Sequence, residues 1–323
     1  MSSNLAIGNR DRYEPHRRIR TVAGPVFGIA CFLATLTGVV VLALLLGSVL
    51  VRVSRQPGAD ALPWYDLWGN GRNVVDFLIG LLTKKQSSNP ARAGFLMGVV
   101  GSLWLLGLVA VFAIPVGVGA AVFLEEYAPP GRIRRVIQTN ISNLAGVPSI
   151  VYGILGLALF YRAFGFKRFE LGASLWTGSL TLSLLILPVI VITTQEALRT
   201  VPSSLRQAAL ALGATRWQMV RDHVLPAALP GILTGTILGL SRAIGETAPL
   251  LMAGAASSIF RLPKRPSDAY TALPVEIYNY AKEPSADFQT IAAGGILILL
   301  ILLLSMNAAA IIIRNRSSRR RAA

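Results

Sequence analysis

Six long apolar runs constrain this chain more than any other feature of its sequence. They cover residues 22–51, 94–124, 136–164, 173–194, 227–255 and 291–313. A helix needs about 20 apolar residues to cross a hydrocarbon core of about 30 Å, so each run is long enough to span a bilayer. Charged residues make up 14% of the chain, against about a quarter in soluble domains. The sequence therefore predicts an all-α membrane protein with six transmembrane helices.

The apolar runs divide the chain into five predicted parts. These are a basic tail at 1–21, an anchor helix at 22–51, an outer loop at 52–93, a core at 94–313 that contains a polar loop at 203–226, and a second basic tail at 314–323. Within the outer loop, residues 74–82 favour a short amphipathic helix that cannot span.

Basic residues lie in the segments between the runs and at both ends, and they give a net charge of +16. This distribution is typical of a topology signal and of contact with lipid head groups, and it argues against a nucleic-acid partner. With both termini in the cytoplasm, the inner segments hold more Lys and Arg than the outer ones, so we expect that orientation. Because Cys31 is the only cysteine, we expect no disulfide within the chain. Its two histidines predict no metal site, and the sequence contains no phosphate-binding glycine loop, so we expect this chain to bind no ATP.

The polar loop begins with a short predicted helix. Pro202 marks its start, Ser204 and Gln207 have capping-box spacing, and Gly213 would end it. The residues at helical spacing on its small-residue face are Leu205, Ala208, Ala209 and Leu212.

A second short helix is expected directly afterwards, capped by Thr215, carrying Trp217 and ended by Pro226. Neither helix is long enough to cross a bilayer. From the residues alone two interpretations stay open, an amphipathic hairpin on the inner leaflet or a helix that inserts into a groove on a soluble partner.

The fifth run contains two charges, Arg242 and Glu246, four residues apart and hence on one helix face. Each would cost about 2.5–3.5 kcal/mol if it faced lipid at the bilayer centre. Ser241 and Thr247 place small polar side chains beside them. The pair could neutralise itself for helix packing, or Arg242 could offer its guanidinium fork to an oxyanion in transit with Glu246 setting its position.

The third run is interrupted at Gly146 and Pro148, which disturb a helix within the membrane. Freed backbone groups are tolerated there only against protein or water. Pro148, Ser149 and Tyr152 are therefore candidates for lining a pathway.

The polar loop resembles the Glu-Ala-Ala loop of ABC-importer permeases. The matching residues are Gln207-Ala208-Ala209, Gly213 after three more residues, and His223-x-Leu225-Pro226 after nine more. Gln207 stands where that family usually has Glu, and His223 where it has Ile. The resemblance implies a type I importer fold in which residues 205–223 dock into a cytoplasmic ATPase. The implied coupling residues are Leu205, Gln207, Ala208, Ala209, Gly213, Trp217, Leu225 and Pro226.

A second resemblance is narrower. The segment Arg242-Ala-Ile-Gly-Glu246-Thr-Ala-Pro-Leu-Leu is similar to the signature of phosphate-specific ABC permeases, and residues 146–153 and 125–128 agree with it. Residues 273–275 and Asn307 favour the A-type subunit. The resemblance implies a C-type permease partner, two ATPase subunits that use ATP, and a periplasmic or lipid-anchored phosphate-binding protein, in a bacterial cytoplasmic membrane. A permease for sulfate, molybdate, phosphonate or an amino acid, and a membrane-embedded enzyme, remain alternatives.

Overall fold

The structure is a computed structural model that describes residues 17–54, 71–163, 170–255, 259 and 261–319. The predicted tails at 1–16 and 320–323 lie outside the described residues, as do 55–70 of the outer loop and the end of the third run at 164. The described residues form helices and contain no strand.

The helices follow one another along the chain with short connections. In chain order they are α1 (Arg17–Ser54), α2 (Gly71–Thr83), α3 (Leu96–Val122), α4 (Arg132–Ala145), α5 (Ser149–Gly156), α6 (Leu175–Arg199), α7 (Ser203–Ala211), α8 (Arg216–Gln218), α9 (Leu225–Gly245), α10 (Ala248–Met252), α11 (Leu273–Lys282) and α12 (Ala286–Arg319). Three π-helical turns, Phe123–Tyr127, Leu157–Tyr161 and Met219–Val224, continue α3, α5 and α8 without a gap.

Membrane-spanning helices appear where the apolar runs predicted them. Among the described residues five helical segments are long and apolar enough to cross a bilayer, and a sixth results if the bent pair α4 and α5 counts as one span. The prediction of an all-α, six-span membrane protein is confirmed. The chain divides into two units, Met1–Val51 and Arg52–Ala323. The first contains most of α1, and the rest of the description concerns the second.

The third run differs from the single span expected over 136–164. Helix α4 ends at Ala145, and α5 leaves at an angle of 103°. Pro148 explains the break because a proline disfavours helical conformation in the residue before it. Pro148 itself has φ −55° and ψ 137°, which is not a helical conformation.

The fifth run also differs, at both ends. Helix is continuous from Arg216 to Gly245 and passes through Pro226, so the expectation that Pro226 ends a separate short helix is wrong. The preceding π turn explains this, because its last bond runs from the Leu225 N–H to the Val220 carbonyl. The α-helical ladder starts afresh there, where the missing N–H of proline costs little. At the other end the helix stops at Gly245 instead of continuing to 255.

Helices α3, α6 and α9 pack side by side and form the core of the second unit. Small residues allow close approach: a Cβ added to Gly117 of α3 would lie 2.7 Å from Cγ2 of Ile190 in α6, and one added to Gly231 of α9 would lie 2.7 Å from Cβ of Ala197. Such contacts are typical of helix packing in membranes. The core thus fixes α9, which carries the charged pair, against α6.

A polar contact fixes α4 against α6 in the same bundle. The side-chain amides of Gln138 and Gln195 exchange two hydrogen bonds of 3.0 and 2.8 Å, although Gln195 is almost completely buried. Reciprocal bonding satisfies both amides, which a buried polar group requires.

Candidate functional site

The charged pair lies where α9 ends. Arg242 is in the last turn of α9, and Glu246 follows the helix in an extended conformation, with φ −80° and ψ 119°. The two side chains nevertheless meet, with Nε of Arg242 3.3 Å from Oε1 of Glu246. The expectation that both residues share one continuous helix is wrong for Glu246, because the helix stops one residue earlier. The side chains are 44% and 20% exposed, so the pair is open on one side.

Neighbouring polar residues surround the pair. The hydroxyl of Ser241 lies 2.6 Å from Oδ1 of Asn307 in α12 and 2.8 Å from the Ile237 carbonyl. Thr247 is half-buried between α9 and α10 and makes no capping bond to the backbone of α10. The break therefore collects a cation, a carboxylate and hydroxyl groups within a segment that is otherwise apolar.

Helix α5 packs against α10, directly after the break. A Cβ added to Gly153 would lie 2.7 Å from Cα of Pro249 and 2.9 Å from Cβ of Met252, so only glycine permits this approach. The bend between α4 and α5 and the break between α9 and α10 are thus held together by backbone contact.

The three lining candidates of the third run occupy different environments. Pro148 is exposed, Ser149 is half-buried, and Tyr152 is buried. The Tyr152 hydroxyl donates a hydrogen bond of 2.8 Å to the Leu144 carbonyl near the end of α4. This bond links α5 to the end of α4 across the bend, so Tyr152 braces the bend. Ser149 and Pro148 remain the accessible members.

Residues 203–224, which we call the knob, contain the predicted short helix α7 and the first part of the continuous helix that begins at Arg216. Gly213 joins them with φ +84°, a conformation that side chains other than glycine rarely adopt. Thr215 caps α8 as expected and forms a capping box with Gln218. The capping box expected between Ser204 and Gln207 is absent, because α7 begins at Ser203 and Ser204 therefore lies inside the helix.

One side of the knob is buried and the other is open. Ala209 packs on the core together with Met219, Val220 and Val224 of the π turn. Leu212 is 90% exposed and Trp217 58%. The four-residue face predicted for α7 is therefore wrong in part, since Leu205 is half-buried whereas Ala208 and Leu212 face outward.

The Leu212 side chain leaves the predicted face because Leu212 follows Ala211, the last residue of α7. Gln207 is also exposed. Exposed apolar and amide side chains on a compact helical hairpin suit a docking surface.

The sequence does not reveal how the knob is anchored. Arg206 of α7 forms an ion pair of 2.7 Å with Glu126, at the end of the π turn that continues α3. Eighty positions separate the two residues. The only signal in the sequence is the pair of adjacent acids, which by itself indicates no more than the end of a helix.

An open groove lies between α3 and α9, close to the knob. It has a volume of about 640 Å³ and is lined almost entirely by apolar side chains, with Trp217 and Thr236 among them. An anion in such a groove would lose its hydration without gaining a partner, so the groove does not suit an oxyanion. Within the described residues no group of three His, Cys, Asp or Glu side chains could hold a metal ion.

Comparison with known proteins agrees with this fold. Residues 113–321 match the family described as the inner membrane component of binding-protein-dependent transport systems, and the chain belongs to that family. Among its relatives is the phosphate transport system permease protein PstA of Haemophilus influenzae, 33% identical over 69% of this chain and 77% of its own length. PstA of Mycobacterium leprae is 36% identical over 73% of this chain and 69% of its own length.

Two Bacillus subtilis proteins are also similar to the chain. The probable ABC transporter permease proteins YqgH and YqgI are each 38% identical to it over 62% and 56% of its length. The match spans 63% and 60% of their own lengths, which is less than two thirds.

Solved structures support the fold. A bacterial ABC transporter involved in alginate import superposes with a TM-score of 0.58 at 17% identity, over 92% of this chain and 99% of the other. The methionine ABC transporter MetNI in an inward-facing conformation gives a TM-score of 0.54 at 22% identity, over 69% of this chain and 95% of the other. The fold is therefore that of a type I ABC importer permease.

Proposed function

We propose that this chain is one membrane half of an ATP-driven importer of inorganic phosphate. The observation that carries the proposal is the open Arg242–Glu246 pair at the break after α9. The PstA proteins, whose names state phosphate transport, support the choice of substrate.

An exposed arginine within a membrane-spanning segment needs a polar surrounding, because facing lipid would cost about 2.5–3.5 kcal/mol. A water-lined path, or the face of a second permease subunit, supplies it. We therefore place a homologous C-type permease against this side, so that the two subunits enclose the path. Arg242 then binds a phosphate oxyanion through two N–H groups, and Glu246 competes for the same guanidinium so that phosphate is released.

The knob supplies the connection to ATP in this proposal. It lies on the cytoplasmic side, both termini are cytoplasmic, and two ATPase subunits bind the exposed residues of the two permeases. A phosphate-binding protein, periplasmic or lipid-anchored, delivers the substrate on the opposite side of the bacterial cytoplasmic membrane. This chain binds no cofactor, and ATP is hydrolysed by the partner. Because helix is continuous from the knob to Gly245, movement of the knob reaches the charged pair through one rigid element.

Phosphate uptake by the complete complex in proteoliposomes tests the proposal. Charge-assisted hydrogen bonds are worth about 1.5–3 kcal/mol, so Arg242→Gln should lower uptake by about tenfold or more. Arg242→Lys keeps the charge but loses the fork, and its uptake should fall between those of the Gln variant and the wild type. Arg261→Gln, at an exposed arginine outside the spans, is the matched control and should transport normally. Wild-type uptake in both Arg242 variants would refute the role of this side chain.

Competition distinguishes the substrates, since a guanidinium fork also fits other tetrahedral oxyanions. Excess unlabelled phosphate should abolish uptake of labelled phosphate, whereas sulfate, molybdate and phosphonate should compete weakly. Stimulation of ATP hydrolysis by sulfate or molybdate but not by phosphate would move the assignment to another oxyanion. A membrane-embedded enzyme is disfavoured because the family consists of transport components.

A further inference from the structure

Two adjacent carboxylates at the end of α3 hold different parts of the bundle. Glu125 accepts hydrogen bonds from Arg134 of α4 at 3.1 Å and from Arg199 of α6 at 2.6 Å. Glu126 accepts from Arg206 of α7 instead. Glu125 therefore connects membrane helices to each other, and Glu126 connects the membrane bundle to the knob.

All three nitrogens of the Arg206 guanidinium donate hydrogen bonds. Nε lies 3.2 Å from each oxygen of Glu126, and Nη2 lies 2.7 Å from Oε1. Nη1 donates to the Val201 carbonyl at 2.7 Å, and Nη2 also donates to the Leu198 carbonyl at 2.9 Å. These two carbonyls are at the end of α6, where a helix leaves acceptors without partners. One side chain thus ties together the ends of α3, α6 and the start of α7, a task that suits the planar fork of arginine.

Burial distinguishes this ion pair from its neighbour. The side chains of Glu126 and Arg206 are 5% and 23% exposed, whereas Arg199 is 56% exposed. Water and salt screen the buried pair less than the exposed one. The Arg206–Glu126 contact is therefore a fixed connection and not a fluctuating surface contact.

The chain joins the knob to α6 through residues 200–202, and apolar packing that includes Val122 of α3 also holds it. Two further connections lead from the knob into the bundle. One is the continuous helix from Arg216 to Gly245. The other is the contact of Arg206 with Glu126, which leads to α3, and α3 packs along α6 for much of its length. Apolar packing of Ala209 supports both connections but is not directional. Without the ion pair, only this apolar packing would join the knob directly to α3, and such packing lets helices slide when α9 turns.

We infer that the Arg206–Glu126 pair is a mechanical joint that makes α3 follow the knob, so that ATP hydrolysis moves both helices together. The inference rests on the proposed function, in which an ATPase binds the knob. Both residues are positioning residues, since neither contacts the substrate path. The measured quantity that reports such a joint is the number of ATP molecules hydrolysed per phosphate transported.

The experiment uses the complete complex in proteoliposomes and records ATP hydrolysis and phosphate uptake on the same sample. Arg206→Gln should raise the ATP hydrolysed per phosphate by about fivefold or more, the lower end of typical coupling between sites. Arg206→Lys should show a smaller rise, because it keeps the charge opposite Glu126 but loses the fork that also reaches both carbonyls. The exchange of charges in Arg206→Glu with Glu126→Arg should recover only part of the ratio, because it restores the attraction but not the bonds to the Val201 and Leu198 carbonyls.

Arg199→Gln is the matched control, because it removes an ion pair of similar length on the adjacent carboxylate without touching the knob. Its ratio should equal that of the wild type. An unchanged ratio in Arg206→Gln, in a complex that retains its ATPase, would overturn the joint. An equal rise in Arg199→Gln would also overturn it, since the effect would then belong to general packing.

A second readout does not depend on the substrate. Spin labels at Ser204→Cys and Phe123→Cys, both exposed and placed on either side of the joint in a Cys31→Ser background, report the distance between α7 and the end of α3. This distance should stay constant on addition of ATP when Arg206 is present and change when it is Gln. Identical behaviour in both backgrounds refutes the joint, whereas absence of phosphate uptake by the wild-type complex refutes the proposed substrate alone.

Discussion

Replacing Glu276 by glutamine should remove a strong pH dependence from the stability of this protein. Glu276 lies in α11, outside the membrane-spanning helices, and is completely buried. Its carboxyl group packs against the first turn of α3, where a Cβ on Gly98 would lie 2.6 Å from Oε2. Neither carboxyl oxygen has a hydrogen bond of good geometry among the described residues. A buried carboxyl group without a partner should resist ionisation.

Burial raises the pKa of Glu276 from 4.5 to about 8, and this effect is larger than the opposing effect of the nearby N–H of Gly98. The folded state therefore holds a proton that the unfolded chain releases. Stability from this group is fully present below the ordinary pKa and is lost as pH rises towards about 8. At about 1.4 kcal/mol per pH unit, the free energy of unfolding should fall by about 3–4 kcal/mol between pH 5 and pH 8, as an order of magnitude.

Thermal unfolding of the purified protein in detergent, measured from pH 5 to pH 8, tests this. The Tm of the wild type should fall over the range, and the difference from Glu276→Gln should grow steadily in favour of the variant. Tyr280 on the same helix does not contribute, because burial raises its pKa to about 12. Glu283→Gln, at an exposed carboxylate at the end of α11, is the control and should follow the wild type. A Tm difference between wild type and Glu276→Gln that does not vary with pH would refute the reasoning.

Three further predictions concern the site and the knob. Gly153→Ala should lower the unfolding free energy by about 1–3 kcal/mol through overpacking against α10, and it should reduce phosphate uptake. The control Gly107→Ala, with open space around the added methyl group, should change neither, and equal Tm values for the two variants would contradict the contact. Gly213→Val forces a branched side chain into a positive φ at a cost of about 1–3 kcal/mol and should reduce ATPase co-purification, so full retention would contradict the role of the turn. Tyr152→Phe loses one hydrogen bond to Leu144 and should cost about 0.5–1.5 kcal/mol in thermal unfolding with uptake largely retained; a strong loss of uptake at unchanged Tm would instead place the hydroxyl in the path.

The positions of the spans could be predicted from the sequence because hydropathy over about 20 residues is a local property. Helix ends were harder to predict. Helix α6 continues five residues beyond its apolar run to Arg199, because Gln195, Ala197 and Leu198 are buried against neighbouring segments, which is a tertiary contact. The helix passes through Pro226 because a π turn precedes it, and no residue type predicts a π turn. The early end of α9 likewise depends on the packing of α10 against α5, which is a tertiary contact.

The charged pair and the knob were also local patterns, so sequence spacing could identify both. The anchoring of the knob could not be identified, because the contact of Arg206 with Glu126 joins residues eighty positions apart. Basic residues are abundant in the connecting segments, and nothing in the sequence says which of them meets an acid. The brace formed by Tyr152 was hidden for a similar reason, since its acceptor is a backbone carbonyl, which residue types do not identify.

The π turn Phe123–Tyr127 influences which arginine each of the two carboxylates contacts. Successive side chains on a helix point about 100° apart, and a π turn adds one residue to a helical turn, so it rotates everything after it by about that angle. Glu125 and Glu126 lie within this turn and therefore take their directions from the inserted residue as well as from the bundle. The partner of each carboxylate is set by rotational phase, not by reach. Deletion of one residue ahead of Glu125 would turn Glu126 to the direction that Glu125 now has and Glu125 to that of the buried Leu124, so neither carboxylate would keep its present arginine.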